Sequence, residues 1–180
     1  RFQEIIQGLS LDLSLDREFE QIAADFSAHA GKEYAASRGE FLNGKVMAAY
    51  LGYEFVDAAE VIRFDKNGVL EAEKTNRLLE KRLAKCEKAV IPGFYGAYED
   101  GKIKTFSRGG SDVTGSIVAR AVEADLYENW TDVSGFLVTD PRIVHNPEPI
   151  EAITYRELRE LSYMGATVLH EDAIFPVRKE

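Results

Sequence analysis

The chain has 180 residues, which is enough for one domain with a sizeable core, and its 45% hydrophobic and 29% charged residues are typical of a folded globular protein. Its formal net charge of −9 argues against nucleic-acid binding, because proteins of that class usually carry a basic patch. No apolar stretch is long enough to span a membrane, and no signal-peptide pattern opens the chain. Cys86 is the only cysteine, which excludes an internal disulfide and favours a cytoplasmic location.

Two helices are predicted in the first part of the chain. One follows Ser14 and stops at Gly31, with apolar residues at helical spacing on one face. The second runs from about Glu40 to Gly52. Ser37 and Glu40 have the spacing of an N-terminal capping box, so the structural interpretation of Ser37-Arg38-Gly39-Glu40 is a helix start.

Short strands and a charged helix are predicted next. Strands are expected at residues 53–58 and 61–64, followed by a turn at Asn67-Gly68. An amphipathic helix over about 72–86 then leads to an apolar strand at 89–91. Cys86 has helical spacing to the leucines before it and is expected to be a small buried apolar residue rather than a nucleophile.

A hairpin and a helix are predicted between residues 94 and 122. Asp100-Gly101 separates the apolar segments 94–98 and 103–106 and is typical of a hairpin turn. A helix is expected from about Val113 because apolar residues recur there at helical spacing.

Two strands and a well-marked helix are predicted in the last part of the chain. The strands are expected at 126–133 and 136–139, and the helix at 153–165. Thr154 and Glu157 have capping-box spacing at the start of that helix. A hydrophobic staple and a C-terminal cap are provided by Ile153, Leu158 and Gly165. Alternating strands and helices predict a layered α/β fold with a mainly parallel sheet, and no linker divides residues 1–180.

The run Arg108-Gly109-Gly110-Ser111-Asp112 carries the strongest chemical signal, because it stands where a strand gives way to a helix. Free backbone N–H groups at a helix N-terminus favour a carboxylate or phosphate. Arg108 adds a planar cationic fork, and Asp112 adds a carboxylate at the same point. The alternative is a glycine turn with a plain helix cap.

Two further polar groups follow predicted strands. Thr131 and Asp132 lie near the carboxyl end of an apolar strand, where open α/β sheets bind ligands. Arg142 follows an Asp-Pro turn, and its structural alternative is a plain surface charge. No Ser-His-Asp or Cys-His triad is apparent. No protein metal site is predicted, because metal-ligand spacing is absent from the histidines at 29, 145 and 170.

These segments together resemble the aspartate kinases of the amino acid kinase superfamily, over most of the chain from Ser37 onward. The Arg-Gly-Gly-Ser-Asp run with the upstream Ser-x-Gly-Glu is the most specific element, whereas Thr-Asp-Val-x-Gly and Asp-Pro-Arg occur more widely in the superfamily. The matching segments are Ser37-Arg38-Gly39-Glu40, Gly93-Phe94-Tyr95-Gly96, Arg108-Gly109-Gly110-Ser111-Asp112, Thr131-Asp132-Val133-Ser134-Gly135, Thr139-Asp140-Pro141-Arg142 and Gly165-Ala166-Thr167-Val168-Leu169-His170.

The resemblance implies a three-layer α/β/α fold and a phosphotransferase with a carboxyl group as acceptor. It implies that the γ-phosphoryl group of ATP, with Mg²⁺, passes to the side-chain carboxylate of L-aspartate. The product would be 4-phospho-L-aspartate, the first intermediate toward lysine, threonine and methionine. A cytoplasmic homo-oligomer is expected, without nucleic-acid or membrane partners.

The resemblance also assigns roles to residues. Glu40 would hold the substrate ammonium, Arg108 a substrate carboxylate, and Phe94 would wall the aspartate pocket. Asp112 would orient the reacting groups. Backbone donors would come from Gly109, Gly110 and Ser111. Nucleotide contacts would come from Thr131, Asp132, Arg142, Thr167 and Val168.

The sequence departs from the family pattern at three points. Thr167 stands where the family normally has a lysine, and Leu137 where many members have a tyrosine that contacts the nucleotide. The family's opening Lys-Phe-Gly-Gly motif and its C-terminal ACT domains are not found within residues 1–180. We therefore expect residues 1–180 to be a partial kinase domain with little activity alone. The alternatives are a kinase of the same fold that acts on another carboxylate, such as glutamate, and a non-catalytic binding or assembly module.

Overall fold

The computed structural model describes residues 1–107, 109–130, 135–140 and 143–163. Helices dominate these residues, and four short strands lie between them. In chain order the elements are α1 (Phe2–Gly8), α2 (Asp16–Ser27), α3 (Lys32–Leu51), β1 (Glu54–Phe55), α4 (Ala58–Val61), α5 (Ala72–Leu83), β2 (Ala89–Val90), β3 (Tyr95–Ala97), β4 (Ile103–Thr105), α6 (Gly110–Ala121) and α7 (Tyr155–Tyr163).

Helix α3 begins at Lys32, so the capping box predicted at Ser37 and Glu40 is wrong. Gly31, at a φ of 86°, is the N-cap, and no proline lies within the helix that follows it. Ser37 lies inside the helix, and its hydroxyl donates to the carbonyl of Tyr34 at 2.7 Å. The hydroxyl therefore bonds back within the helix instead of capping a new one. The helix ends at Gly52 as predicted.

The strands form two small sheets. β1 pairs with β2 in parallel, whereas β3 and β4 form the predicted antiparallel hairpin. The Asp100-Gly101 turn closes this hairpin, with the Gly101 amide donating to the Tyr98 carbonyl at 3.1 Å. A parallel bridge between Arg63 and Ala97 extends the pairing. The described residues thus have the α/β character that the sequence predicts.

The predicted strand at residues 61–64 is confirmed only in part: Val61 ends the short helix α4, whereas Arg63 and Phe64 form isolated bridges to Ala97 and Leu70. The Asp57 side chain accepts a hydrogen bond from the Ala59 amide at 2.9 Å and caps the short helix α4. This local cap favours a helical turn over the β-branched strand pattern, and the chain becomes extended only at Ile62.

The later predictions have mixed outcomes. Residues 126–130 form no strand, and 131–134 lie outside the described residues. At 136–139 the chain makes a single bridge, between Leu137 and Pro149.

The capping box of α7 is confirmed, since the Glu157 amide donates to the Thr154 hydroxyl and the Thr154 amide to the Glu157 carboxylate. Gly165 lies outside the described residues.

The main core lies between the sheets and helices α4, α5 and α6. Its buried members are Val56, Ala58, Val61, Ile62, Phe64, Leu79, Tyr95, Val113 and Ile117. Cys86 is not part of it: the thiol lies between Arg82 and Glu54, 2.7 Å from the guanidinium Nη1. In the part of the chain that the structure describes, no helix is long and apolar enough to cross a membrane.

Candidate functional site

The segment that leads into β3 packs directly on the N-terminus of α6. A Cβ atom at Gly93 would lie 2.9 Å from the Cα of Ser111, and one at Gly110 would lie 2.9 Å from the Cα of Phe94. Both distances are too short for any side chain, so glycine is required on each side of this contact. The contact brings Phe94, Gly110 and Ser111 together at the start of α6.

Phe94 adopts a backbone conformation that is unusual for its residue type. Its φ is 80°, in the left-handed region. Such a conformation costs on the order of 1–3 kcal/mol and persists only where the surroundings impose it. Here the Phe94 amide donates to the Thr114 hydroxyl at 3.2 Å, and the Phe94 carbonyl accepts from the Phe106 amide at 2.9 Å. Phe94 is therefore fixed on both sides of its Cα.

The N-terminus of α6 presents backbone donors. Gly109 is the N-cap, at a φ of 55°, and no described side chain makes a capping hydrogen bond there. The plain cap, in which Ser111 or Asp112 bonds back to the first turn, is therefore not observed among the described residues. The first amides of a helix lack partners within it, and the helix dipole favours an anion at this end. This geometry suits a carboxylate or phosphate group.

Asp112 connects the start of α6 to the segment that precedes Thr131 in the chain. The Asn129 amide donates to the Asp112 carboxylate at 3.2 Å, and the Tyr127 hydroxyl donates to the Asp112 carbonyl at 3.3 Å. Burial, together with the Asp112 charge, raises the pKa of Tyr127. Sequence reasoning missed both contacts. The available signal was Gly115, because a Cβ there would collide with the Tyr127 ring.

Glu40 lies on α3 with its side chain exposed, and its charge acts on Tyr95, the residue after Phe94. Tyr95 is fully buried, and its hydroxyl donates to the Asp57 carboxylate at 2.7 Å. Burial raises the pKa of Tyr95, the Asp57 charge and hydrogen bond add to the effect, and Glu40 contributes further. The charge of Glu40 is therefore felt at Tyr95, the residue that follows Phe94.

Arg38 places a positive charge near Tyr95. Its side chain is only 8% exposed, and its guanidinium donates to the Ser37 hydroxyl at 2.9 and 3.1 Å. The guanidinium carbon lies 4.4 Å from the Tyr34 ring centroid and 4.6 Å from that of Phe41. Stacking on aromatic rings stabilises a desolvated guanidinium. Its charge opposes those of Asp57 and Glu40 at Tyr95.

The structure brings one group of predicted site residues together and leaves another outside its description. The contiguous group at the start of α6 is Phe94, Gly109, Gly110, Ser111 and Asp112. Outside the described residues lie Arg108, Thr131, Asp132, Arg142, Thr167 and Val168. The residues that are described contain no cluster of three or more His, Cys, Asp or Glu side chains able to hold a metal ion.

Comparisons with known proteins support the family resemblance seen in the sequence. The profile described as the Amino acid kinase family matches residues 4–180. Aspartokinase 3 of Bacillus subtilis is 44% identical over 146 residues, which cover 77% of this chain and 32% of that protein. The chain thus spans about a third of the length of this curated relative.

Solved structures show the same likeness. The aspartate kinase of Clostridium acetobutylicum superposes with a TM-score of 0.88 at 55% identity, covering 98% of this chain and 40% of that one. Escherichia coli aspartokinase III, solved with aspartate and ADP, gives a TM-score of 0.79 at 24% identity over 97% of this chain and 45% of its own, which supports the fold alone. The predicted resemblance and the α/β fold class are confirmed.

Proposed function

Because the chain belongs to the amino acid kinase family, we propose that it forms the acceptor-binding part of an aspartate kinase. The reaction is ATP-dependent phosphorylation of the side-chain carboxylate of L-aspartate to 4-phospho-L-aspartate, the entry to lysine, threonine and methionine synthesis. One observation carries the proposal: Phe94 is packed against a helix N-terminus that no described side chain caps. The aspartokinase relatives support the choice of substrate.

In this proposal the start of α6 binds an aspartate carboxylate. The amides of Gly109, Gly110 and Ser111 donate to it, and Arg108 adds a charge-assisted contact. A carboxylate that attacks a phosphoryl group brings two anions together, so preorganised donors stabilise the transition state. Asp112, held by Asn129 at 3.2 Å, orients the reacting groups.

Glu40 binds the substrate ammonium in the same proposal. It is an exposed carboxylate whose charge contributes to the raised pKa of Tyr95, and an ammonium bound beside it would form a charge-assisted contact. The Phe94 ring, beside Gly110, closes the apolar side of the pocket.

ATP and Mg²⁺ complete the proposed reaction. Mg²⁺ usually binds through substrate phosphates, water and one or two carboxylates, so the described residues need no acidic cluster of their own. Bound there, it would neutralise charge on the phosphates. We assign the nucleotide contacts to Thr131, Asp132, Arg142, Thr167 and Val168. We further propose a cytoplasmic location and a homo-oligomeric enzyme.

A trapping assay tests the proposed function. The protein at its natural full length is incubated with ATP, Mg²⁺ and aspartate, and hydroxylamine converts any acyl phosphate to a coloured hydroxamate. Glutamate serves as the matched acceptor, since it is longer by one methylene. The proposal expects hydroxamate with aspartate and little with glutamate. Absence of product with aspartate, or a preference for glutamate, would overturn it.

A further inference from the structure

Thr114 lies one turn into α6, and its hydroxyl joins two chain segments. The side chain is 3% exposed. The hydroxyl oxygen accepts from the Phe94 amide at 3.2 Å and donates to the Gly110 carbonyl at 2.7 Å. A single hydroxyl therefore ties the segment before β3 to the first turn of the helix.

Phe94 depends on this contact because its conformation is strained. At a φ of 80° its amide turns toward α6 instead of joining the β3–β4 ladder, and the partly buried N–H needs an acceptor there. An amide left without a partner in such a place carries the uncompensated cost of its desolvation. The Thr114 hydroxyl supplies that acceptor.

The ring of Phe94 is placed by the same contact. Its Cδ2 atom would lie 3.1 Å from a Cβ at Gly110, so the ring edge lies against the first residue of α6. A change in the Phe94 backbone would move the ring relative to the amides of Gly110 and Ser111. Thr114 therefore couples the position of the Phe94 ring to that of the Gly110 and Ser111 amides.

We propose that Thr114 is a positioning residue for the acceptor. It touches no substrate; it holds Phe94 in the left-handed conformation that sets the wall of the pocket against the start of α6. The inference rests on the proposed function, because it assumes that this pocket receives aspartate.

Three variants of the full-length protein test it. Thr114→Val keeps the shape and removes the hydroxyl, whereas Thr114→Ser keeps the hydroxyl. Thr75→Val is the matched control, because the Thr75 hydroxyl is also buried and accepts a backbone amide, that of Arg63, at 3.0 Å. Steady-state kinetics give KM for aspartate, KM for ATP and kcat.

Thr114→Val should raise KM for aspartate about tenfold, the equivalent of one lost hydrogen bond of about 1.4 kcal/mol, and leave KM for ATP within about twofold. Thr114→Ser should behave like the wild type. Thr75→Val should lower the melting temperature without changing KM for aspartate. Equal changes in KM for Thr114→Val and Thr75→Val, or none for a folded Thr114→Val, would overturn the inference. Thr114→Ala replaces Thr114→Val if the latter does not fold.

Hydrogen exchange separates this inference from the proposed function. If the wild type phosphorylates no aspartate, the proposed function fails, and exchange at the Phe94 amide still tests the Thr114 contact. Faster exchange at Phe94 in Thr114→Val, with the α6 amides unchanged, supports the holding role. Unchanged exchange at Phe94 contradicts it.

Discussion

Glu40 presents an exposed carboxylate whose charge reaches the segment of Phe94 and Tyr95. Glu40→Gln removes that charge and keeps the shape, so under the proposed function it removes an ion pair with the substrate ammonium. KM for aspartate should rise about ten- to a hundredfold, since a hydrogen bond to a charged group contributes about 1.5–3 kcal/mol. Steady-state kinetics at saturating ATP measure it. Glu80→Gln, at an exposed position on α5, is the control and should leave KM unchanged. An unaltered KM in Glu40→Gln would remove Glu40 from the site.

Gly39 is an exposed glycine inside α3, where a Cβ would meet nothing within 4 Å. Glycine in a helix interior costs about 0.5–1 kcal/mol relative to alanine, so Gly39→Ala should raise the unfolding temperature.

Gly44 on the same helix is the contrasting position for this test. A Cβ there would lie 3.1 Å from the Phe55 ring and 3.2 Å from the Pro92 Cβ. Gly44→Ala should therefore lower the unfolding temperature. Equal destabilisation by Gly39→Ala and Gly44→Ala in thermal unfolding would contradict the prediction for Gly39.

At the scale of elements, the contact between α6 and the segment before β3 depends on Gly110. Its Cβ would lie 2.9 Å from the Phe94 Cα, a backbone atom that cannot move without moving the chain. Gly110→Ala should destabilise the protein by about 1–3 kcal/mol, as overpacking of a core does. Thermal or denaturant unfolding measures the loss. Wild-type stability in this variant would show that the two elements do not pack as described.

The elements that sequence predicted well are those with local turn chemistry. Asp100-Gly101 specifies its hairpin, and Thr154 with Glu157 specifies the start of α7, because each signal lies within a few residues. The start of α3 could not be predicted from a local pattern of this kind. Ser37 and Glu40 match a capping box, but the helix had already begun at Lys32, and its continuation outweighs the local pattern.

The apolar segment at 126–130 shows a second limit of local patterns. It resembles a strand, yet Tyr127 packs beside Gly115 and bonds to Asp112 instead of joining a ladder.

In the candidate site, too, local signals could be predicted from the sequence and contacts between distant segments could not. Its glycines and acid were predictable from the sequence of residues 109–112, whereas Thr114 and Asn129 act across chain segments that no local spacing connects.

At the scale of the whole molecule, ion pairs between elements make stability depend on pH. Lys45 holds the pKa of Glu18 below its ordinary value of 4.5 through a 2.7 Å contact between α3 and α2. Burial raises the pKa of Glu33, but the hydrogen bonds from Lys104 and Thr105 outweigh it, and the net pKa is lowered. Both carboxylates are partly exposed, so each pair contributes modestly.

The sign of the pH effect follows from these lowered pKa values. Each carboxylate stabilises the fold above its unfolded pKa of 4.5, and that stability is lost as the pH falls through the lower folded pKa. The unfolding temperature should decline from about pH 5 downward. Glu18→Gln should show a shallower decline, measured by thermal unfolding across this range. An identical pH profile in the variant would show that this pair does not stabilise the fold.

A crystal structure of the full-length protein with bound L-aspartate would show whether the start of α6 binds the acceptor. We expect one aspartate carboxylate within hydrogen-bond distance of the Gly110 and Ser111 amides, with the ammonium directed toward Glu40 and the Phe94 ring alongside. Aspartate bound elsewhere, with the start of α6 occupied by a side chain of the protein itself, would contradict it.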